Sequence, residues 1–178
     1  MSRKNMGDVM ATRVLSEIPR QEYDPSMQLS SGFTLADLTV TNTGINNMPE
    51  NDQILQNLYE LADLLEYIRF NIGDFVVHSA YRNSEVNSKV GGSATSLHTT
   101  GKAADIEPKG MTLTEMFGRL IQPDVASRFG EIAIKASQGT LHISTPDPKV
   151  GTGKIMRMTD GKYYRLTQSE IDSYSQGS

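Results

Sequence analysis

Apolar positions along the chain change period several times, and each change marks an element. Between Asp52 and Gly73, Ile54, Leu55, Leu58, Leu61, Ala62, Leu65 and Ile68 recur at helical spacing. This predicts one long amphipathic helix, capped by Asp52 and ended by Asn71 and Gly73. Ahead of it, FTLADL sets Thr34 three residues before Asp37, a short-helix start, and TNTGINNMPEND reads as a loop. Behind it, the β-branched and aromatic DFVVHSAY predicts a strand. NSEVNSKV predicts a turn or two of helix capped by Asn83 or Ser84, GGSATS a flexible loop, and KAADIEP a short strand stopped by Pro108. Thr112 and Glu115 fit a capping box before the apolar face of Leu113, Met116, Phe117 and Leu120. EIAIK and TLHIST read as strands joined through ASQG in a hairpin, and KIMRM-TDG-KYYRL reads as a second hairpin.

The order, helix-rich first and mixed afterwards, predicts an α+β fold: a small, mainly antiparallel sheet with helices packed on one side. Residues 1–32 are weakly patterned and read as an irregular N-terminal arm, with a short helix near Val9–Ile18. Residues 33–145 form the compact domain, and residues 146–178 a C-terminal hairpin and polar tail.

Composition narrows the function classes. A chain of 178 residues with 37 % hydrophobic content suits one domain with extensions. A net charge of −4 and 7 % aromatics, without basic clustering, argue against a nucleic-acid partner. With no cysteine, disulfides, thiolate metal sites and cysteine nucleophiles are excluded. The N-terminus MSRKNMGDVMATRVLSEIPR has no apolar run of signal-peptide length, and no stretch is long and apolar enough to span a membrane. The expectation is a protein made in the cytoplasm.

The chemistry concentrates in SLHTTGKAADIEP, where His98 and Asp105 stand seven apart among small residues. The chain has only three histidines, and the third candidate ligand is His142 in TLHIST. Two imidazoles, a carboxylate and a water are a common catalytic zinc set. On spacing alone, solvated loop residues and a half-buried strand histidine are the better reading. His78, one position from Ser79, is expected on the opposite strand face and is left out of the site.

The wider pattern changes the weighting. Ser79, Tyr81 and Arg82 are followed by Asn87, Gly91, Gly92 and Ser93, then by Ser96, His98, Gly101, Ala103 and Asp105, and at last by His142 in LHIS. From about Phe33 to Thr145 the chain resembles the zinc D-Ala-D-Ala carboxypeptidase and L-Ala-D-Glu endopeptidase family, in the metallopeptidase group that includes lysostaphin and the hedgehog signalling domain. The likeness is to small members encoded by phages and bacteria. The resemblance implies His98, Asp105 and His142 as ligands of one Zn2+ at the sheet face. It also implies Arg82 as a substrate contact and a peptidoglycan peptide as substrate. Zinc in such a site brings the pKa of its water to about 7 and polarises the scissile carbonyl. A guanidinium can pair with a substrate carboxylate or steady an oxyanion. Ser79 and Ser96 are either ligand-orienting groups or plain loop residues.

One part of the pattern is missing. The acidic residue that the family places three positions before its last histidine is Gly139 here, and the strand-end glutamate of other small members is Lys135. If Lys135 pairs with Thr140, Ala133 faces His142 and Glu131 lies diagonal to it on the metal side, which makes Glu131 the candidate general base. Gln138 and Glu107 are weaker candidates. Two expectations follow. One is a peptidase of the phage-lysis or virion type, acting on the wall after release. The other is a zinc-binding structural or wall-binding module without hydrolysis, docking through the arm.

Overall fold

The computed structural model of the chain describes residues 23–149 and 151–176. The short helix expected near Val9–Ile18 lies outside the described residues. In chain order the elements are α1 (Leu35–Leu38), α2 (Asp52–Asn71), β1 (Phe75–Ser79), α3 (Ser84–Lys89), a 3-10 turn (Leu97–Thr100), β2 (Ala103–Pro108), α4 (Leu113–Leu120), α5 (Pro123–Ala126), β3 (Glu131–Lys135), β4 (Thr140–Ser144), β5 (Lys154–Thr159), β6 (Lys162–Arg165) and α6 (Gln168–Ser175). The fold is α+β, as the pattern predicts.

Local chemistry explains most boundaries. Thr34 with Asp37 and Thr112 with Glu115 form reciprocal capping boxes at the starts of α1 and α4, and Asn83 caps α3. The cap of α2 is Asn51 rather than Asp52: its Oδ1 accepts from the Ile54 amide at 3.0 Å. Asp52 instead accepts from the Tyr23 hydroxyl. Tyr23 and Leu29 are buried in the same core cluster as α2, so the chain is already packed before Phe33.

Six strands form one sheet in the order β1-β2-β4-β3-β5-β6. All neighbours run antiparallel except β3 and β5, which are parallel. The C-terminal hairpin, β5–β6, thus extends the same sheet. Because side chains alternate, Ala104, Ile106, Ile132, Ile134, Leu141 and Ile143 all point to one face, where they join α2 and α4 in a single apolar core. Asp105, Ala133 and His142 are left on the other face. Among the described residues no helix is long and apolar enough to cross a membrane.

One buried polar side chain fixes the segment after β1. Asn47 donates from Nδ2 to the carbonyls of Thr39 (3.0 Å) and Tyr81 (2.7 Å), and its Oδ1 accepts from the Asn83 amide at 2.8 Å. It therefore holds Arg82 between two anchored neighbours. Asn47→Ala strands buried carbonyls and should lower stability by about 2–4 kcal/mol. Urea unfolding checks this: the midpoint should fall with little change in slope.

Candidate metal centre

His98 is presented by the tight 3-10 turn. Ser96 caps the turn, and Gly101 closes it at φ +73°, a left-handed conformation that glycine tolerates. A Cβ on Gly101 would also lie 3.1 Å from the Ile54 carbonyl oxygen, so the turn sits directly on α2. The turn is tied to the end of β1 twice. The Arg82 amide donates to the His98 carbonyl at 3.1 Å, and His98 Nδ1 lies 2.6 Å from the Ala80 carbonyl oxygen. A carbonyl only accepts, so Nδ1 carries the proton and a neutral His98 turns the bare lone pair of Nε2 inward.

Asp105 and His142 arrive from neighbouring strands as directly opposed residues. The register of β1 shifts between Val77 and Ser79, which brings Ser79 opposite Asp105. His142 Nδ1 lies 3.1 Å from Asp105 Oδ1 and 3.3 Å from His98 Nε2, and His98 Nε2 lies 3.5 Å from Asp105 Oδ2. One ligand atom from each residue falls within 4.8 Å of the others, and all three residues are buried. The three sequence candidates therefore converge. Their donor set suits a divalent ion: an imidazole nitrogen with its proton fixed on the far side, a second imidazole, and a carboxylate.

Electrostatics agree. Burial holds His98 below its usual pKa and keeps it neutral, as a ligand must be. Burial alone would raise the Asp105 carboxyl, but hydrogen bonding to His142 outweighs it and keeps Asp105 well below the usual carboxylate range.

The other sequence candidates are distributed as follows. Arg82 is half-buried and lines a groove of about 310 Å³ with Val40, Thr41, Asn42, Val86 and Val90. The groove is walled by the segment after α1, by the end of β1 and by α3. Arg82 Nε is buried without a hydrogen-bond partner among the described residues. Glu131 reaches His142, but at its outer nitrogen: Oε2 lies 3.9 Å from Nε2, and Oε1 accepts from Lys154 Nζ at 3.1 Å. Glu107 is taken up on the surface by His78. His78 was expected to face away; the register shift beyond Val77 breaks the alternation, and His78 meets Glu107 on the Asp105 side of the sheet. Gln138 is exposed in the β3–β4 connection. Ser96 acts as the cap of the His98 turn. The GGSATS loop, expected to be flexible, is tied by Asn87, whose Nδ2 donates to the Ser93 carbonyl at 2.9 Å.

Two neighbours of the cluster were not among the site residues expected from the sequence. Lys135 is buried, and its Nζ donates to Asp105 Oδ2 at 2.9 Å. Its position was legible in the hairpin register, because residues 131, 133 and 135 share the His142 face. Tyr163 of β6 sets its ring 5.8 Å from the His142 ring, centroid to centroid. Partial burial, and then the negative charges of Asp105 and Glu131, push its phenol up to about 12, so it stands beside the centre as a neutral donor. No local signal announces Tyr163, because the parallel β3–β5 pairing brings it there.

A family model described as Peptidase M15 matches residues 14–144, well over half of the chain. The matched segment contains His98, Asp105 and His142 and stops before β5 and β6. No curated protein matches the chain.

The geometry predicts uptake of one divalent ion per chain. His98→Ala and Asp105→Ala should each weaken it by more than about a hundredfold, the upper range for losing a mere ligand-orienting partner. Competition against a chromogenic chelator measures this, with circular dichroism to verify folding. Full affinity in both variants would exclude the cluster as the site.

Proposed function

The chain belongs to the peptidase M15 family, and from that premise we propose that it is a zinc-dependent peptidase hydrolysing peptide bonds of bacterial peptidoglycan, in the stem peptide or the cross-link. The observation that carries this reading is the convergence of His98 Nε2, Asp105 and His142 Nδ1 on one buried point. Zinc bound there supplies a Lewis acid that polarises a peptide carbonyl and makes water acidic near neutral pH.

The protein's own groups take the remaining roles. Arg82 offers a partly buried guanidinium with an unpartnered Nε, suited to a substrate carboxylate or to negative charge developing on a carbonyl oxygen. Burial lowers its pKa from the usual arginine value, which still leaves it cationic under ordinary conditions. The groove beside it mixes valine methyl groups with Thr41 and Asn42, in keeping with a short, polar, carboxylate-bearing peptide. Ala80 fixes the His98 tautomer. Glu131 is the second carboxylate at the imidazole pair and has two available functions: proton acceptor for the attacking water, or orienter of His142 through Nε2. The lysis or virion setting belongs to the same proposal.

Zymography on purified cell walls tests the activity. Clearing that chelator abolishes, zinc restores and His98→Ala and Asp105→Ala both lack is the expected result. One bound zinc with no cleavage of any wall type would overturn it in favour of a binding module. Glu131→Gln separates the two functions of Glu131. Loss of a base costs about 10²–10⁴ in kcat with metal affinity unchanged. Loss of an orienting partner lowers metal affinity by about 10–100-fold.

A further inference from the structure

Lys135 is an unusual neighbour for a divalent-ion site. It ends β3, is only 7 % exposed, and directs its ammonium at Asp105 Oδ2, the carboxylate on which the centre depends. Its position follows from the fold: Lys135 pairs with Thr140, two residues from His142, so its side chain shares the His142 face. The carboxylate is divided between partners. Oδ1 faces His142 Nδ1 at 3.1 Å, while Oδ2 faces Lys135 Nζ at 2.9 Å and His98 Nε2 at 3.5 Å.

Charge balance gives this arrangement a consequence. With neutral imidazoles, Asp105 and Lys135 sum to zero, so the buried cluster is already compensated before an ion arrives. A dication must then share the Asp105 carboxylate with a resident cation, in a low-dielectric site where like charges a few ångströms apart repel strongly. Other cations stand close by. Arg82 is near enough to Asp105 for the two charges to act on each other, and Lys154 holds Glu131 on the outer side of His142.

We propose that Lys135 is the resident counter-cation of the centre: it holds Asp105 in the metal-free protein and competes with the incoming ion for that carboxylate. The centre consequently loads weakly and releases its ion readily. This inference rests on the reading of the cluster as a metal site, and it concerns ion affinity rather than hydrolysis. It also accounts for a lysine on a buried strand position where a neutral side chain would avoid the desolvation of a charge.

The test compares Zn2+ and Co2+ affinities of the full chain with those of Lys135→Met, Lys135→Gln and Lys135→Arg, by chelator competition and by the visible spectrum of bound Co2+. Lys135→Met and Lys135→Gln should bind one ion about tenfold or more tighter than the wild type, with the Co2+ spectrum of the same ligand set. Lys135→Arg, which keeps the charge, should bind like the wild type. Without metal, Lys135→Met should melt at a lower temperature than the wild type, and saturating Zn2+ should raise its melting temperature by more. Lys135→Gln keeps a neutral donor on Asp105, so the comparison survives if Lys135→Met does not fold. One-to-one wild-type binding with equal or weaker binding in the neutral variants overturns the proposal and leaves the metal reading intact. No uptake by wild type or variants overturns the metal reading, and this proposal with it.

Discussion

The site depends on one strand register. Asp105 on β2 stands opposite His142 on β4, and His142 stands opposite Ala133 on β3. Directly paired residues share a sheet face, so this register alone puts an imidazole and a carboxylate side by side and leaves a methyl group, rather than a large side chain, beside them. A slip of one residue in either pairing would turn His142 or Asp105 into the apolar core. Leu141, Ile143, Ile132 and Ile134 resist that slip, because it would turn them out of the core that α2 and α4 cover. The apolar face thus fixes the polar one.

The third ligand candidate is not on a strand, and its placement has a different cause. His98 rides on a short turn held by a backbone hydrogen bond to the segment after β1 and by close packing of Gly101 on α2. The Ala80 carbonyl accepts from Nδ1, which fixes both ring orientation and tautomer. Such pre-organisation costs entropy during folding rather than at ion binding. Asn47, which bonds to Tyr81 and Asn83 on either side of Arg82, extends the same framework to the groove. Ligand cluster and groove therefore share one backbone segment, residues 79–83.

The sequence pattern carried much of this design. Helical and strand periods identify α2, β1, β2 and the β3–β4 hairpin because each buries a face with the matching period. The assumed pairing of Lys135 with Thr140 is the observed one, since a short connection leaves few alternatives. His98, Asp105 and His142 meet because a recognisable motif order reflects a fixed topology. The illegible features are non-local or depend on one irregular residue. Tyr163 reaches His142 only through a parallel pairing between segments that sequence treats as separate. The register shift in β1 misleads any alternation argument about His78. The packing of Tyr23 and Leu29 shows the same limit, since a weakly patterned stretch is buried by two anchoring side chains rather than by a period.

The carboxylates around His142 set what the centre can do. Asp105 and Glu131 address opposite nitrogens of one imidazole, Oδ1 at Nδ1 and Oε2 at Nε2. A base must stand within hydrogen-bond reach of the water it activates, and Glu131 Oε2 lies 3.9 Å from the far nitrogen of His142, an electrostatic contact longer than a hydrogen bond. Lys154 holds the other Glu131 oxygen at 3.1 Å. The position facing the ligand carboxylate from the end of β3 is filled by a cation, Lys135, and not by an acid. With Lys135 in that place, the Asp105 carboxylate is charge-compensated before any ion arrives. The group that meets this carboxylate from β3 is thus a proton donor and not an acceptor.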